Sequence, residues 1–290
     1  MVTKRQIESD ILGLNTFQSI TRAYTEIAAI RVRKTRNSVL INRDFINKLE
    51  DVFKDVHTSY AREVMKLGTK SDKASQKVTF LAHNGKTVAV LLSANTGLYG
   101  DIIDRTFRLF LKESNENNYE VTIAGKLGLA FYQSEMPDKP YTYFDISDQE
   151  FNVNELAQLI NHVVQYEEIR VYYPTFQSAI NQEPSRYVIS AETPLSEIRE
   201  REGKKEYYLF EPSLKEILVF FEQEIFSSLM DQTVRESQLA KFAARIMALD
   251  RAGENIKKEL QKLRLEKLKV VHNTANRKQL HSLASLNMWN

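Results

Sequence analysis

Apolar residues in the last third of the chain recur at alternating steps of three and four. Leu239, Phe242, Ile246, Leu249, Gly253, Ile256, Leu260, Leu263, Lys267 and Val270 form one heptad seam, interrupted by a glycine and a lysine. The stretch that holds it, Ser213–Leu286, follows Pro212, contains no proline and has Gly253 as its sole glycine. Ser213 with Glu216 three residues later has the spacing of a capping box, so a helix is expected to begin there. One helix of roughly 70 residues would be roughly 105 Å long. That length suits a coiled coil or a spanning rod better than a compact domain. The polar run Asp231–Gln238 is where the pattern could instead break into ordinary helices.

The other end of the chain offers the rod a partner. Thr3–Tyr60 is helical in pattern almost throughout. Ile7, Ile11 and Leu14 start a stripe, and Ile20, Tyr24, Ile27 and Ile30 continue it with a small phase shift. Phe45, Leu49, Val52, Val56 and Tyr60 form another. Ala23, Ala28 and Ala29 would let a second helix approach closely. Ile20 and Ile27 are therefore expected to face the seam around Ile246 and Leu249.

Between the two ends the texture changes. After a polar loop at 68–76, Lys77–Leu81 and Thr87–Ser93 are short β-branched runs, joined by a hairpin-like His83–Lys86. Gly85-Lys86-Thr87 resembles the end of a phosphate-binding loop, but Phe80 stands where that motif needs its first glycine. Val88–Leu92, the turn Ser93–Asp101 and an amphipathic run from Ile102 to Leu111 read as strand, turn and helix, the opening of an α/β unit. Leu98, Tyr99 and Gly100 lie in that turn, whose glycines do not follow the dinucleotide spacing. Further strands are expected at Tyr119–Ile123, Ile169–Phe176, Arg186–Ser190 and Tyr207–Phe210. Leu127–Tyr132 is a short helix or strand, and Asn154–Val164 a helix. The expected organisation is 1–66 helix, 77–210 α/β domain and 213–290 helix.

Composition narrows the function. The chain has no cysteine, which excludes disulfides, thiolate metal sites and a cysteine nucleophile. No apolar run approaches the 18 or so residues of a membrane span, and the N-terminus is too polar for a signal peptide. The five histidines share no metal-ligand spacing, and no nucleophile motif occurs. Neither a catalytic site nor a cofactor is expected. Net charge is +2, yet Met1–Arg36 carries seven basic residues against three acidic, and Arg251–Lys278 nine against three. Paired helices would merge Arg22, Arg31, Arg33, Arg245, Arg251 and Lys257 into one basic collar facing an acidic partner. A solvated face accounts for the same charge. Nucleic acid is a third reading, against which the basic segments lack interleaved aromatics.

Three motifs, in order, then point to a family. Ile20–Arg33 (ITRAYTEIAAIRVR), Ser93–Gly100 (SANTGLYG) and Phe242–Asn255 (FAARIMALDRAGEN) resemble corresponding runs of the gamma subunit of F-type ATP synthase. Tyr24, Thr25 and Glu26 replace Met, Lys and Met, and Tyr99 replaces a cysteine, so the chain resembles a divergent member. The resemblance implies an α/β fold in which the N- and C-terminal helices form a long antiparallel coiled coil around an inserted Rossmann-like domain. It implies a non-catalytic rotor inside a ring of three alpha and three beta subunits, with an epsilon-type subunit and, where present, a membrane rotor ring as partners. No nucleic acid and no direct membrane span are implied; the place would be peripheral, on the cytoplasmic face of the cell membrane. A gamma-like shaft in a specialised F-like ATPase, such as a motility motor, and a coiled-coil nucleic-acid-binding protein remain the other readings.

Overall fold

The computed structural model describes residues 3–66, 84–148, 153–190 and 214–287. In chain order its elements are α1 (Lys4–Lys66), β1 (Thr87–Leu92), α2 (Ile102–Asn117), β2 (Glu120–Ala124), α3 (Lys126–Glu135), β3 (Thr142–Phe144), α4 (Val153–Val163), β4 (Glu168–Phe176), β5 (Gln182–Ser190) and α5 (Leu214–Asn287). The expected loop at 68–76, the strands at Lys77–Leu81 and Tyr207–Phe210, and the cap Ser213 lie outside the described residues.

β1 explains the centre of the fold. Val88–Leu92 is an unbroken apolar run and every residue in it is buried, as a strand covered on both faces requires. It pairs in parallel with β2 on one side and β4 on the other, in a sheet of order β3-β2-β1-β4-β5. β5 runs antiparallel to β4, the direction a short hairpin turn at Ser178–Asn181 permits. Side-chain alternation along β1 then divides the core. Val88, Val90 and Leu92 pack with Leu156, Leu159 and Val163 of α4 and with Phe226, Met230 and Val234 of α5. Ala89 and Leu91 pack on the other face with Phe107 and Phe110 of α2 and Tyr132 of α3.

α5 does not break at Asp231–Gln238. Thr233, Glu236, Ser237 and Gln238 are buried within the helix, and the polar groups of all but Ser237 meet polar partners. Arg43 of α1 contacts Glu236 at 2.6 Å, Asn42 donates to Asp231 at 3.1 Å, and Arg235 pairs with Asp231 one turn away. Leu127–Tyr132 is helical, within α3, and β3 is a three-residue edge strand too short for any period to announce.

The chain divides into two compact units, Met1–Ile30 with Arg245–Asn290, and Arg31–Ala244. The divisions thus fall inside α1 and α5, not at the element boundaries near 66 and 213. The reason is visible in the larger unit, where Phe226, Met230 and Val234 of α5 belong to the core of the sheet.

Two glycines make opposite predictions. A Cβ on Gly128 of α3 would lie 2.6 Å from Ser93 Cβ and 2.9 Å from Leu91 Cδ2. Gly128→Ala should therefore cost about 1–3 kcal/mol. A Cβ on Gly253 of α5 would meet only Thr21 Cγ2, at 4.0 Å. Gly253→Ala should stabilise the helical pair by about 1 kcal/mol. Denaturant unfolding of the two variants checks both signs.

Candidate functional site

The polar centre of the larger unit lies where β1 ends. Asp148 and Lys241 are 3% and 6% exposed, and Lys241 Nζ sits 2.9 Å from Asp148 Oδ1. The second Asp148 oxygen accepts from the Asn95 and Thr96 backbone N–H groups at 2.5 and 3.0 Å and lies 3.3 Å from the Thr96 hydroxyl. Lys241 also donates to the Ser93 carbonyl at 2.8 Å. Burial alone would raise the Asp148 carboxyl; the Lys241 charge and these donors outweigh it and hold it below the ordinary value of 3.8. Asn95 completes the arrangement. Its side-chain oxygen accepts from the first N–H of α3, Lys126, at 2.9 Å, and the Ala94 carbonyl accepts from Leu127 at 2.8 Å. In open α/β sheets this edge is where phosphates and other ligands dock. Here chain atoms occupy those donors.

Sequence reasoning did not single out Asp148, Asn95 or Lys241. One signal was present: Lys241 is a lone charge in the otherwise small and apolar run Leu239–Ala244. The turn that Asp148 holds contains Leu98, at φ +70° and 56% exposed, followed by the buried Tyr99 and by Gly100 at φ +64°. A leucine with positive φ is strained.

The smaller unit is a helical pair. Lys267 of α5 contacts Glu8 of α1 at 2.9 Å, and Gly253 faces Thr21, so residue numbers fall along one helix as they rise along the other. This antiparallel pairing has Leu249 and Leu260 buried and Ile246 and Ile256 half-buried on the α5 side; Leu239 and Phe242 are buried in the larger unit. The α1 side differs from expectation. Ile20 and Ile27 are 45% and 54% exposed, and the inward positions are Ile7, Leu14, Thr21, Thr25 and Ala28. Three of these five are small or β-branched polar residues, and Thr21 faces Gly253 of α5. Phe17, Ile20, Tyr24, Ile27 and Ile30 are left on the outside.

The charged residues are likewise only partly as expected. Arg22, Arg33, Arg251, Lys257 and Lys258 are exposed and Arg31 is half-buried. Arg245 is 9% exposed and so is not part of an outward collar. It takes up the inward position one turn before Leu249. Arg22, Arg251 and Lys257 share the smaller unit, whereas Arg31 and Arg33 belong to the larger.

Comparison with known proteins bears on what this architecture serves. A family model described as ATP synthase matches residues 3–270. The ATP synthase gamma chain of Desulfitobacterium hafniense is 23% identical over 274 residues, covering 92% of each chain. That of Ruminiclostridium cellulolyticum is 26% identical over 275 residues, covering 90% of each. Among solved structures, a chain of the Tetrahymena thermophila mitochondrial ATP synthase central stalk and c-ring superposes with a TM-score of 0.59 at 18% identity, over 80% of this chain and 99% of that one. A chain from the Euglena gracilis mitochondrial enzyme gives 0.51 at 14% identity, over 88% and 93%. At such identities the superpositions speak to the fold.

Two outcomes follow from the geometry at the sheet edge. Lys241→Met would strand the buried Asp148 charge and should cost about 3–5 kcal/mol. Because Asp148 is lowered in the folded chain, its stabilising share is complete above the ordinary carboxylate range and is lost as pH falls through the lowered value. Without Lys241 the buried carboxylate is relieved by protonation. In denaturant unfolding followed by circular dichroism, the Lys241→Met penalty should therefore be largest at neutral pH and shrink as pH falls. Leu98→Gly should relieve the positive-φ strain and raise stability by about 1 kcal/mol in the same assay.

Proposed function

The chain belongs to the ATP synthase gamma family, and from that premise we propose that its paired helices are a shaft turning inside a ring of three alpha and three beta subunits. It is a central-stalk subunit and non-catalytic by itself. In this reading the seam Ile246, Leu249 and Ile256 stiffens the shaft, while Leu239 and Phe242, also expected in the seam, belong to the larger unit. Its outward surface meets the ring, and as it turns it imposes a different state on each catalytic beta site. The observation that carries the reading is the outward apolar stripe Phe17, Ile20, Tyr24 and Ile27, in a unit that also exposes Arg22, Arg251 and Lys257. An apolar stripe of this extent on a helix marks a surface that another protein covers.

The charges suit a moving contact. Exposed ion pairs contribute only about 0–1 kcal/mol each, so a partner meets many shallow attractions and no deep one. The α/β domain would take the epsilon-type subunit and, where one is present, the membrane rotor ring. No helix among the described residues is long and apolar enough to cross a membrane. In this reading the subunit is held through its partners, peripheral, on the cytoplasmic face of the cell membrane.

Co-purification of the tagged chain from its own cells should bring down alpha and beta subunits; their absence would defeat the proposal. Neutralising Arg22, Arg33, Arg251 and Lys257 together should lower the ATPase rate of the assembled complex and flatten its dependence on ionic strength. Each change alone should leave assembly intact. Ile20→Ser with Ile27→Ser should leave the melting of the free chain nearly unchanged, since both side chains are exposed, but weaken assembly.

A further inference from the structure

Beside the Lys241–Asp148 pair, the ends of β1 and β2, the loop at Ile146–Ser147 and α5 border a cavity of about 10 Å³. Leu92, Ile146 and Val234 line it on the apolar side, and Ser237, Gln238 and Lys241 on the polar side. Ser237 is 1% exposed, and its hydroxyl has no hydrogen-bond partner among the described residues. An ammonium has three protons to donate. Lys241 gives one to the Ser93 carbonyl and one to Asp148, and no third acceptor occurs among the described residues. Gln238 donates from its amide nitrogen to the Ser147 carbonyl at 3.3 Å, across the same wall of the cavity.

A free ammonium proton and an unpaired hydroxyl therefore border a space at the threshold of roughly 10–15 Å³ that admits one water. We propose that a single structural water is bound here. It accepts from Lys241 Nζ and bonds the Ser237 hydroxyl. A cation is excluded by the adjacent ammonium. An anion has nothing to neutralise, because Asp148 already balances Lys241. Two polar partners lie within the two to four that a buried water needs. The water joins two side chains of α5, Ser237 and Lys241, beside the ion pair.

Ser237→Ala in the full chain tests this through the sign of the change. If the hydroxyl is held by water, alanine removes one of the water's partners and leaves Lys241 a donor short; the melting midpoint should fall by about 2–4 °C. If the hydroxyl is dry, alanine merely deletes an unpaired buried polar group, and the midpoint stays or rises. A map of the chain, alone or in its complex, at a resolution that shows ordered solvent should contain one peak about 2.7–3.2 Å from both Ser237 Oγ and Lys241 Nζ. An unchanged or higher midpoint overturns the proposal, as does an ordered map without that peak.

Discussion

The buried ion pair between Lys241 and Asp148 constrains the larger unit more than any other contact. Removing two charges from water costs several kcal/mol per ion, and the attraction between them offsets this only when geometry is good and remaining lone pairs are used. Both conditions hold. Asp148 receives donors from Lys241, Asn95 and Thr96, and Lys241 reaches a second acceptor at Ser93. The pair fixes the rotation of α5 about its axis at one point. With Lys241 turned to the sheet edge, Phe226, Met230 and Val234 are carried onto the apolar face of β1 and β4. A one-residue slip of α5 would separate the charges and turn that apolar face away together. Its contribution is to specificity of docking more than to net stability.

The same pair decides what the α/β domain is used for. Open parallel sheets present the N-termini of their helices at the strand ends, where a phosphate can take the unpaired N–H groups. In this chain Asn95 and Ala94 accept from the first N–H groups of α3, and Asp148 gathers those of Asn95 and Thr96. The close packing behind them depends on Gly125, at φ +104°, where a Cβ would lie 2.7 Å from the Ala94 nitrogen. The glycine that elsewhere brings a backbone close to a ligand here brings it close to the chain itself. The sheet edge has become a seat for a helix.

Much of this was legible in the sequence, and the exceptions have physical causes. The seam of α5, the buried strand β1 and the hairpin of β4 and β5 follow from periodicity, because burial there is apolar and repeats. Periodicity left open a break at Asp231–Gln238, a polar run that stays in the helix because it is buried through side-chain bonds to distant residues such as Arg43. It misjudged Ile20 and Ile27. The largest apolar residues of α1 were assumed to face inward, yet the pair packs through Thr21, Thr25 and Ala28. Arg245 shows a third limit, since composition counts a charge without saying which way it points. The Lys241–Asp148 contact spans 93 residues, a separation over which no local pattern carries information.

Packing through small residues has a consequence for a helix pair that must work inside another assembly. Where Thr21 of α1 faces Gly253 of α5, two helices can approach more closely than where leucines interleave. The large apolar groups freed from the seam then stand outside, where they cost little in an exposed chain and become useful once covered. Lys267 illustrates the balance on the charged side. It interrupts the seam, yet it reaches Glu8 of α1 while remaining partly in water, so the interruption is tolerated with no buried charge left alone. A shaft in the proposed rotor has to be held firmly to itself and loosely to its surroundings. Fixed contacts lie within each unit of this chain, while arginines, lysines and apolar residues of both long helices are exposed. That division is what such a shaft requires.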